Sequence, residues 1–388
     1  MRIHFRFLIW LCALFSLVCA EGNLFAQTSD SFTLESALRS KQTRAREYEW
    51  ASLFAPVFYQ ALGDKPRNDY ITNFDFDGDW RGDNNWNNAE NSQFPLKAYV
   101  YYSVLETSSH IFLHYAVFHP RDYKGGERRG TILSTLIQEG AKRGGKYDPT
   151  GLAEESVLAH ENDMEGCLLV VAKSGTDPGS ARVVYVETLH HNVFSRYVTG
   201  KTVPQGFEPI EMDGQQVLLY VEPKGHGILA YHESEEQSAK KRFLIYTFTG
   251  KAEAPAEDAE GFLGYELVPI ESTLWSKTRT NSGDQLSGTN LTYGASYDYG
   301  KLTINLLQPN GHVTMQKVAV GKRGSAFVGN VGGRNMARPP WAWADRNRRE
   351  DPLGIWFFDP AVIIKRDFAL DGGFATAYVR MPWWAAGQ

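Results

Sequence analysis

Eight stretches of this chain alternate apolar with polar residues, or run β-branched and aromatic, over eight or nine positions: KAYVYYSVL (97–105), HIFLHYAVF (110–118), EGCLLVVAK (165–173), ARVVYVETL (181–189), QQVLLYVEP (215–223), KRFLIYTFT (241–249), KLTINLLQ (301–308) and HVTMQKVAV (312–320). A period of two puts successive side chains on opposite faces of an extended strand. Turn-forming clusters such as ETSS, SGTDPGS and PNG punctuate the runs. Many short strands with few helices predict an all-β chain, an antiparallel β-sandwich with long loops spanning 55–388. Two helical patterns depart from this. Residues 32–54 read as an amphipathic helix within an N-terminal segment 27–54, and TILSTLIQEGAKRGG (131–145) reads as a helical insertion. The insertion lies in a connection of about forty residues, a length that is more often functional than idle. The acidic, alanine-rich GKAEAPAEDAEG (250–261) predicts a solvated loop that can mark a subdomain boundary.

The N-terminus constrains location. Arg2 and Arg6 precede an apolar run from Phe7 to Val18, and Val18-Cys19-Ala20 supplies small residues for cleavage. This predicts a signal peptide over 1–20, with a second possible cut after Ala26, and an exported protein, secreted or periplasmic. The run is too short to span a bilayer comfortably, and no later segment reaches the ~20 apolar residues a membrane helix needs. Cleavage after Ala20 removes two of 40 Lys+Arg and none of 45 Asp+Glu, which moves the net charge from −5 to 38 − 45 = −7. No basic stripe predicts a nucleic-acid partner. Of the three cysteines, Cys12 and Cys19 leave with the signal, so Cys167 is left without a disulfide partner. Stability must come from a core or a metal.

LAHENDMEGCLLVV (158–171) places a histidine and three acids in six residues at the mouth of an apolar strand. Asp163 and Glu165, two apart, share a strand face, and His160 on the entering turn can curl over the same spot. Two carboxylates forced together repel unless something neutralises them. Either this is a polar strand end facing water, with Asp163 capping a turn, or it is a cation site. An oxygen-rich set with one imidazole suits Mg²⁺, Mn²⁺ or Ca²⁺ better than Zn²⁺.

His-x-x-Asp-x-Glu entering an apolar strand resembles the Gly-His-Arg-His-Asp-Trp-Glu heptapeptide of the necrosis-inducing secreted proteins (NPP1-type). It is similar also to the signature of the vacuolar-sorting-protein-62-like family. Upstream, LHYAVFHPRDY resembles the aromatic strand end whose aspartate completes the metal-ligand set of the necrosis-inducing proteins. Downstream, VETLHHNVF resembles the segment after that family's next strand. VYVEPKGHGI and PPWAWADRNRREDPLGIWFFDPA resemble stretches of the vacuolar family. The resemblance implies Asp122, His160, Asp163 and Glu165 as ligands of a divalent cation, and a lipid or carbohydrate head group as the bound partner. The chain departs from the heptapeptide: Ala159, Asn162 and Met164 stand where the family has glycine, histidine and tryptophan. The insertion between Asp122 and His160 is also much longer.

His190, His191, Lys224 and His226 follow strand-like runs. If those strand ends meet Asp163 at one rim, they can hold a phosphate or sugar group, or protonate it; read singly, each is an ordinary turn residue. Asp75, Asp77 and Asp79 have the first spacings of a calcium loop, but Trp80 stands where the glycine belongs. A turn satisfied by its own side chains competes there with a second cation. His110 and His114 read as packed histidines. Trp341, Trp343, Trp356, Trp383 and Trp384 read as core, with an exposed sugar or membrane platform as the alternative. Three functions fit: a secreted cation-dependent binder of a lipid or sugar head group; a phosphodiesterase-like metal hydrolase with His191 or His226 as acid or base; and an interaction domain stapled by a structural metal.

Overall fold

The computed structural model describes residues 44–382, apart from 123–158, 176, 201, 234–241, 257–258, 279–290, 332–336, 346–347 and 349–352. The signal region, the insertion 131–145, Trp383 and Trp384 lie outside the described residues. The chain divides into two compact units, Met1–Glu49 and Trp50–Gln388. The described part of the predicted N-terminal helix covers 44–53. The rest of this account concerns the second unit.

All eight predicted runs are strands. The ladder begins with β1 (Val57–Leu62), β2 (Tyr99–Thr107), β3 (His110–Asp122), β4 (His160–Ala172), β5 (Arg182–His190) and β6 (Val193–Val198). Two short strands follow, β7 (Glu208–Pro209) and β8 (Met212–Asp213), then β9 (Gln216–Val221), β10 (Ile228–Ala230), β11 (Arg242–Phe248) and β12 (Gly261–Pro269). The C-terminal part supplies β13 (Tyr293–Asp298), β14 (Lys301–Leu307), β15 (Val313–Ala319), β16 (Lys322–Phe327) and β17 (Tyr378–Arg380).

The predicted antiparallel sandwich is corrected. Among the described residues fifteen strands form one mixed sheet, whose main path runs β10-β9-β1-β11-β12-β2-β3-β4-β5-β6-β7. β1 pairs parallel with β9, β11 with β12, and β12 with β2. Period two reports that a strand has two unlike faces; it carries no information on the direction of its neighbours. The sheet curls on itself, and a separate two-stranded antiparallel sheet, β13–β16, packs against it through Phe327 on Phe118 of β3. His119 on β3 reaches Gln60 on β1 at 3.0 Å, although three strands lie between them along the ladder. Tyr265 on β12 bonds Pro56 O at 2.7 Å across the same interior.

β3 and β4 are buried along almost their whole length on both faces, the state expected of strands covered from both sides. One face, carrying Phe112, Ala116, Phe118, Met164, Leu168 and Val170, packs against the C-terminal aromatic layer with Trp341, Trp343, Trp356 and Phe357. The tryptophans of that layer are 0–2% exposed, which makes them core. Gly166 is required here: a Cβ would lie 2.4 Å from Tyr115 O and 2.5 Å from the Trp343 ring. The other face turns into the curl, where Tyr115 bonds Ala51 O at 2.7 Å.

His114 is fully buried beneath Trp356, 3.0 Å from its carbonyl, and burial pulls its pKa down to about 4. His110 packs on Phe374 with ring centroids 4.5 Å apart. Both are packed histidines, as the sequence indicates. Cys167 is buried and free, and burial raises its thiol pKa.

Candidate metal centre

Antiparallel pairing of β3 with β4 brings Asp122 opposite His160 and His119 opposite Asp163, despite the long connection between the two strands. The His160 Nε2 to Asp122 Oδ2 distance is 3.2 Å. One donor atom from each of Asp122, His160 and Asp163 can be chosen so that all lie within 4.8 Å of one another, and among the described residues this is the one group of three or more His, Cys, Asp or Glu so gathered. Glu165 lines the same cavity of about 260 Å³, together with His191 and Arg338. All three carboxylates are nearly buried.

His160 and Asp163 are three residues apart and would face opposite ways in an unbroken strand. Asn162 breaks the alternation. Its backbone is left-handed, with φ 61°, a region that asparagine tolerates better than most residues. Its buried side chain donates to Gly82 O at 2.8 Å and Val328 O at 2.7 Å, and accepts from Asn85 Nδ2 at 2.7 Å. The register leaves Pro120 opposite it, and proline has no N–H to leave unsatisfied. Glu161 points elsewhere, accepting from Trp86 N at 2.7 Å and Asn330 N at 2.6 Å. Burial raises its pKa. Within the charged mouth, then, His160, Asp163 and Glu165 face the cavity, while Glu161 and Asn162 pin the loops around it.

The donor set fits a hard divalent cation. His160 Nδ1 lies 2.8 Å from Asn162 O, and a carbonyl can only accept, so Nδ1 carries the proton. Nε2 is the nitrogen that faces Asp122, and in the neutral ring it presents a lone pair to a carboxylate oxygen. A proton on Nε2 or a cation between the two groups makes that approach favourable. A backbone carbonyl that accepts from the other ring nitrogen and fixes the tautomer in this way is usual for metal-bound histidine.

Behind Asp163 lies a buried clamp. His226 is fully enclosed, with Nδ1 2.9 Å from Asp163 Oδ2 and Nε2 3.3 Å from Asp69 Oδ1. Burial alone would lower its pKa; the hydrogen bond to Asp163 and the close charge of Asp69 outweigh it and push the pKa up to about 9. Its ring stacks on His119 at 3.7 Å, 5° from parallel. Burial, and the neighbouring His226 charge after it, hold the His119 pKa well below its ordinary value. Asp69 is itself held by Gly63 N and Lys224 N, each at 2.7 Å.

The other predicted residues divide. His191 is on the rim, with Nε2 2.7 Å from Glu222 Oε2 and its own N–H donating to Glu165 Oε1 at 3.2 Å. His190 turns to Ser195 Oγ at 2.9 Å. Lys224 contributes its backbone to Asp69, and its Nζ lies 3.6 Å from Asp64. Asp75, Asp77 and Asp79 are not drawn into one cluster. Asp77 accepts from Asp79 N and Asn88 Nδ2, Asp79 from Arg81 N and Asn84 Nδ2, and Asp75 from Asn73 Nδ2. This is the pattern of a turn satisfied by its own side chains.

Sequence reasoning missed Asp69, Gln60, His119 and Glu222, whose meeting depends on strands and turns far apart in the chain. It also missed the backbone signature. Of the six non-glycine residues with positive φ among the described residues, two (His191 and Asn192) line this cavity and three (Asn162, Lys224 and His226) adjoin the lining residues Asp163 and Gly225 in the chain. Such conformations cost of order 1–3 kcal/mol each and cluster at functional sites.

No protein-family model matches the chain, and no curated protein matches it. Among solved structures it is similar to Necrosis and Ethylene inducing Protein 2 from the causal agent of cocoa's Witches Broom disease, at 14% identity over 57% of this chain and 73% of that one, with a TM-score of 0.26. It is similar to NLPPya in complex with mannosamine at 12% identity, over 47% of this chain and 66% of that one, TM-score 0.26. For the non-toxic HaNLP3 protein the values are 11%, 49%, 60% and 0.23. The match therefore spans less than two thirds of the NLPPya and HaNLP3 chains. These solved structures come from the necrosis-inducing proteins that the charged strand mouth and the aspartate strand resemble in sequence.

Proposed function

We propose that Asp122, His160, Asp163 and Glu165 hold a divalent cation (Mg²⁺, Ca²⁺ or Mn²⁺), and that the cation binds a sugar or lipid head group of an exported protein's target. The observation that carries this reading is the convergence of Asp122, His160 and Asp163 donor atoms within 4.8 Å at a cavity that also admits Glu165. Hydroxyl and phosphate oxygens suit a hard cation. Arg338 on the cavity wall favours a head group that carries negative charge.

The test is metal analysis of purified protein, a thermal melt with and without chelator, and titration calorimetry with phosphate-bearing and polyol head groups. We expect one equivalent of cation, a lower melting temperature after chelation, and head-group binding that chelation abolishes. Chelation that leaves both melting and binding untouched would overturn the proposal. Chelation that lowers the melting temperature of a protein binding no head group would leave the ion as a structural staple.

A hydrolase, phosphodiesterase-like, is the second reading. It is favoured by the His191–Glu222 contact at the rim, where a histidine oriented by a carboxylate can act as a base. His226, the other acid–base candidate, is fully buried and cannot reach a substrate from its place between Asp69 and Asp163. Metal-dependent turnover of a generic phosphodiester that disappears in Asp163→Asn and in His191→Ala would establish the enzyme over the binder.

A further inference from the structure

The far end of the sheet carries a second surface, built from β14, β15 and β17. β14 and β15 pair antiparallel from Lys301↔Ala319 to Leu307↔Val313, and residues directly opposite share a face. Leu302, Ile304 and Val318 are buried and define the inner face. The outer face therefore carries Lys301, Thr303, Asn305 and Leu307 on β14, and Ala319, Lys317, Met315 and Val313 on β15. β17 extends it: Leu306 pairs with buried Tyr378, which turns the neighbouring Val379 outward beside Leu307.

This face is divided along its length. Toward the hairpin tip it is apolar: Met315 is 78% exposed, Val313 57% and Val379 45%, with half-buried Leu307 between them. Toward the other end it is cationic, with exposed Lys301 and Lys317; Lys322, just beyond on β16, stands opposite exposed Asp298 on β13. No aspartate or glutamate occurs anywhere from 299 to 344, in a chain whose net charge is −5. The tip itself, QPNGH (308–312), carries none. β17 joins the sheet at Thr107, near the end of β2 that leads into β3 at His110. The cation-site ligand Asp122 is at the opposite end of β3, about 40 Å away at ~3.3 Å per strand residue.

Isolated exposed apolar residues are ordinary. Val313 and Met315 on β15 and Val379 on β17 flank Leu307 of β14 on one face, and with Lys301 and Lys317 they form an amphipathic face whose charge selects an anionic partner. A solvent-facing apolar patch beside lysines is an arrangement that enters a lipid interface: the apolar side chains bury toward the acyl chains while lysines meet the head groups. We propose that the β14–β15 hairpin docks the protein on anionic lipid bilayers, independently of the cation site.

Co-sedimentation of the full-length mature chain with phosphatidylserine–phosphatidylcholine vesicles, against phosphatidylcholine alone, tests this with chelator present throughout. Wild-type protein should pellet with the anionic vesicles only, and raised salt should release it. Val313→Asp with Met315→Asp should abolish pelleting. Lys317→Gln should weaken it by about fivefold, the effect of one lysine near such a surface. All three side chains are exposed, so unchanged circular dichroism and melting are expected of the variants. The proposal is overturned if the double variant pellets as wild type does, or if wild type does not pellet with anionic vesicles. A concentration-dependent dimer by light scattering, broken by the double variant and without vesicle binding, would assign the face to self-association instead. Vesicle binding that appears only with added cation and is lost in Asp163→Asn would place it at the metal centre. Because chelator is present, failure of the cation-site reading does not affect the outcome.

Discussion

His226→Leu is the most informative single change. In the folded protein the His226 ring nitrogens lie 2.9 Å from Asp163 and 3.3 Å from Asp69, so at an effective dielectric of about 20 the two attractions amount to about 6 and about 5 kcal/mol. Desolvating the imidazolium costs several kcal/mol. The net loss on removing one partner of such a buried set is about 3–5 kcal/mol, a large part of the ~5–15 kcal/mol stability of a typical protein. Leucine cannot offset the two carboxylates left facing each other, and the stacking on His119 is lost as well. The assay is equilibrium urea unfolding at neutral pH in chelator. A bound cation neutralises Asp163 from its other side, so the deficit should shrink when saturating divalent cation replaces the chelator. Pairing His226→Leu with Asp69→Asn removes one of the stranded charges and should recover more than 1 kcal/mol relative to additivity. A deficit below about 1 kcal/mol, or additive behaviour of the pair, would refute the clamp as an electrostatic unit.

Three further outcomes follow from particular residues. Asn162→Ala should destabilise by about 2–4 kcal/mol through lost buried hydrogen bonds and left-handed strain, and should weaken cation binding by calorimetry; Asn162→Gly, which keeps the backbone free to turn, should retain more of the cation affinity. His114, with its pKa lowered to about 4 by burial, supports stability fully above pH 6.5; that contribution is lost as pH falls from 6.5 through about 4, so His114→Gln should flatten an acid titration of the urea midpoint across that window. Gly166→Ala places a methyl against Tyr115 O and the Trp343 ring and should cost about 1–3 kcal/mol, visible as a lower melting temperature, with Trp343→Phe partly relieving it.

Much of the strand content was legible because alternation is a local property: the eight runs between 97 and 320 are all strands. The placing of Asp163 and Glu165 on one side, with His160 at the entry to the strand, was legible for the same reason, and the resemblance added Asp122 to them. The parallel neighbours of β1 and β12, and the curl that replaces the expected sandwich, were not legible. Pairing direction depends on which distant strand arrives, and nothing within a nine-residue window records that.

The composition of the charged mouth is thus a property of the sequence alone: residues 158–171 already specify a histidine and acids at the start of a strand that must be buried. Which of them face one another was decided in three dimensions. Antiparallel register sets Asp122 against His160, a left-handed Asn162 turns His160 toward Asp163, and the curl carries Asp69 and His226 in behind. The division has a physical cause. Side-chain chemistry and strand period act over a few covalent bonds, whereas the position of a counter-charge depends on how the whole sheet closes.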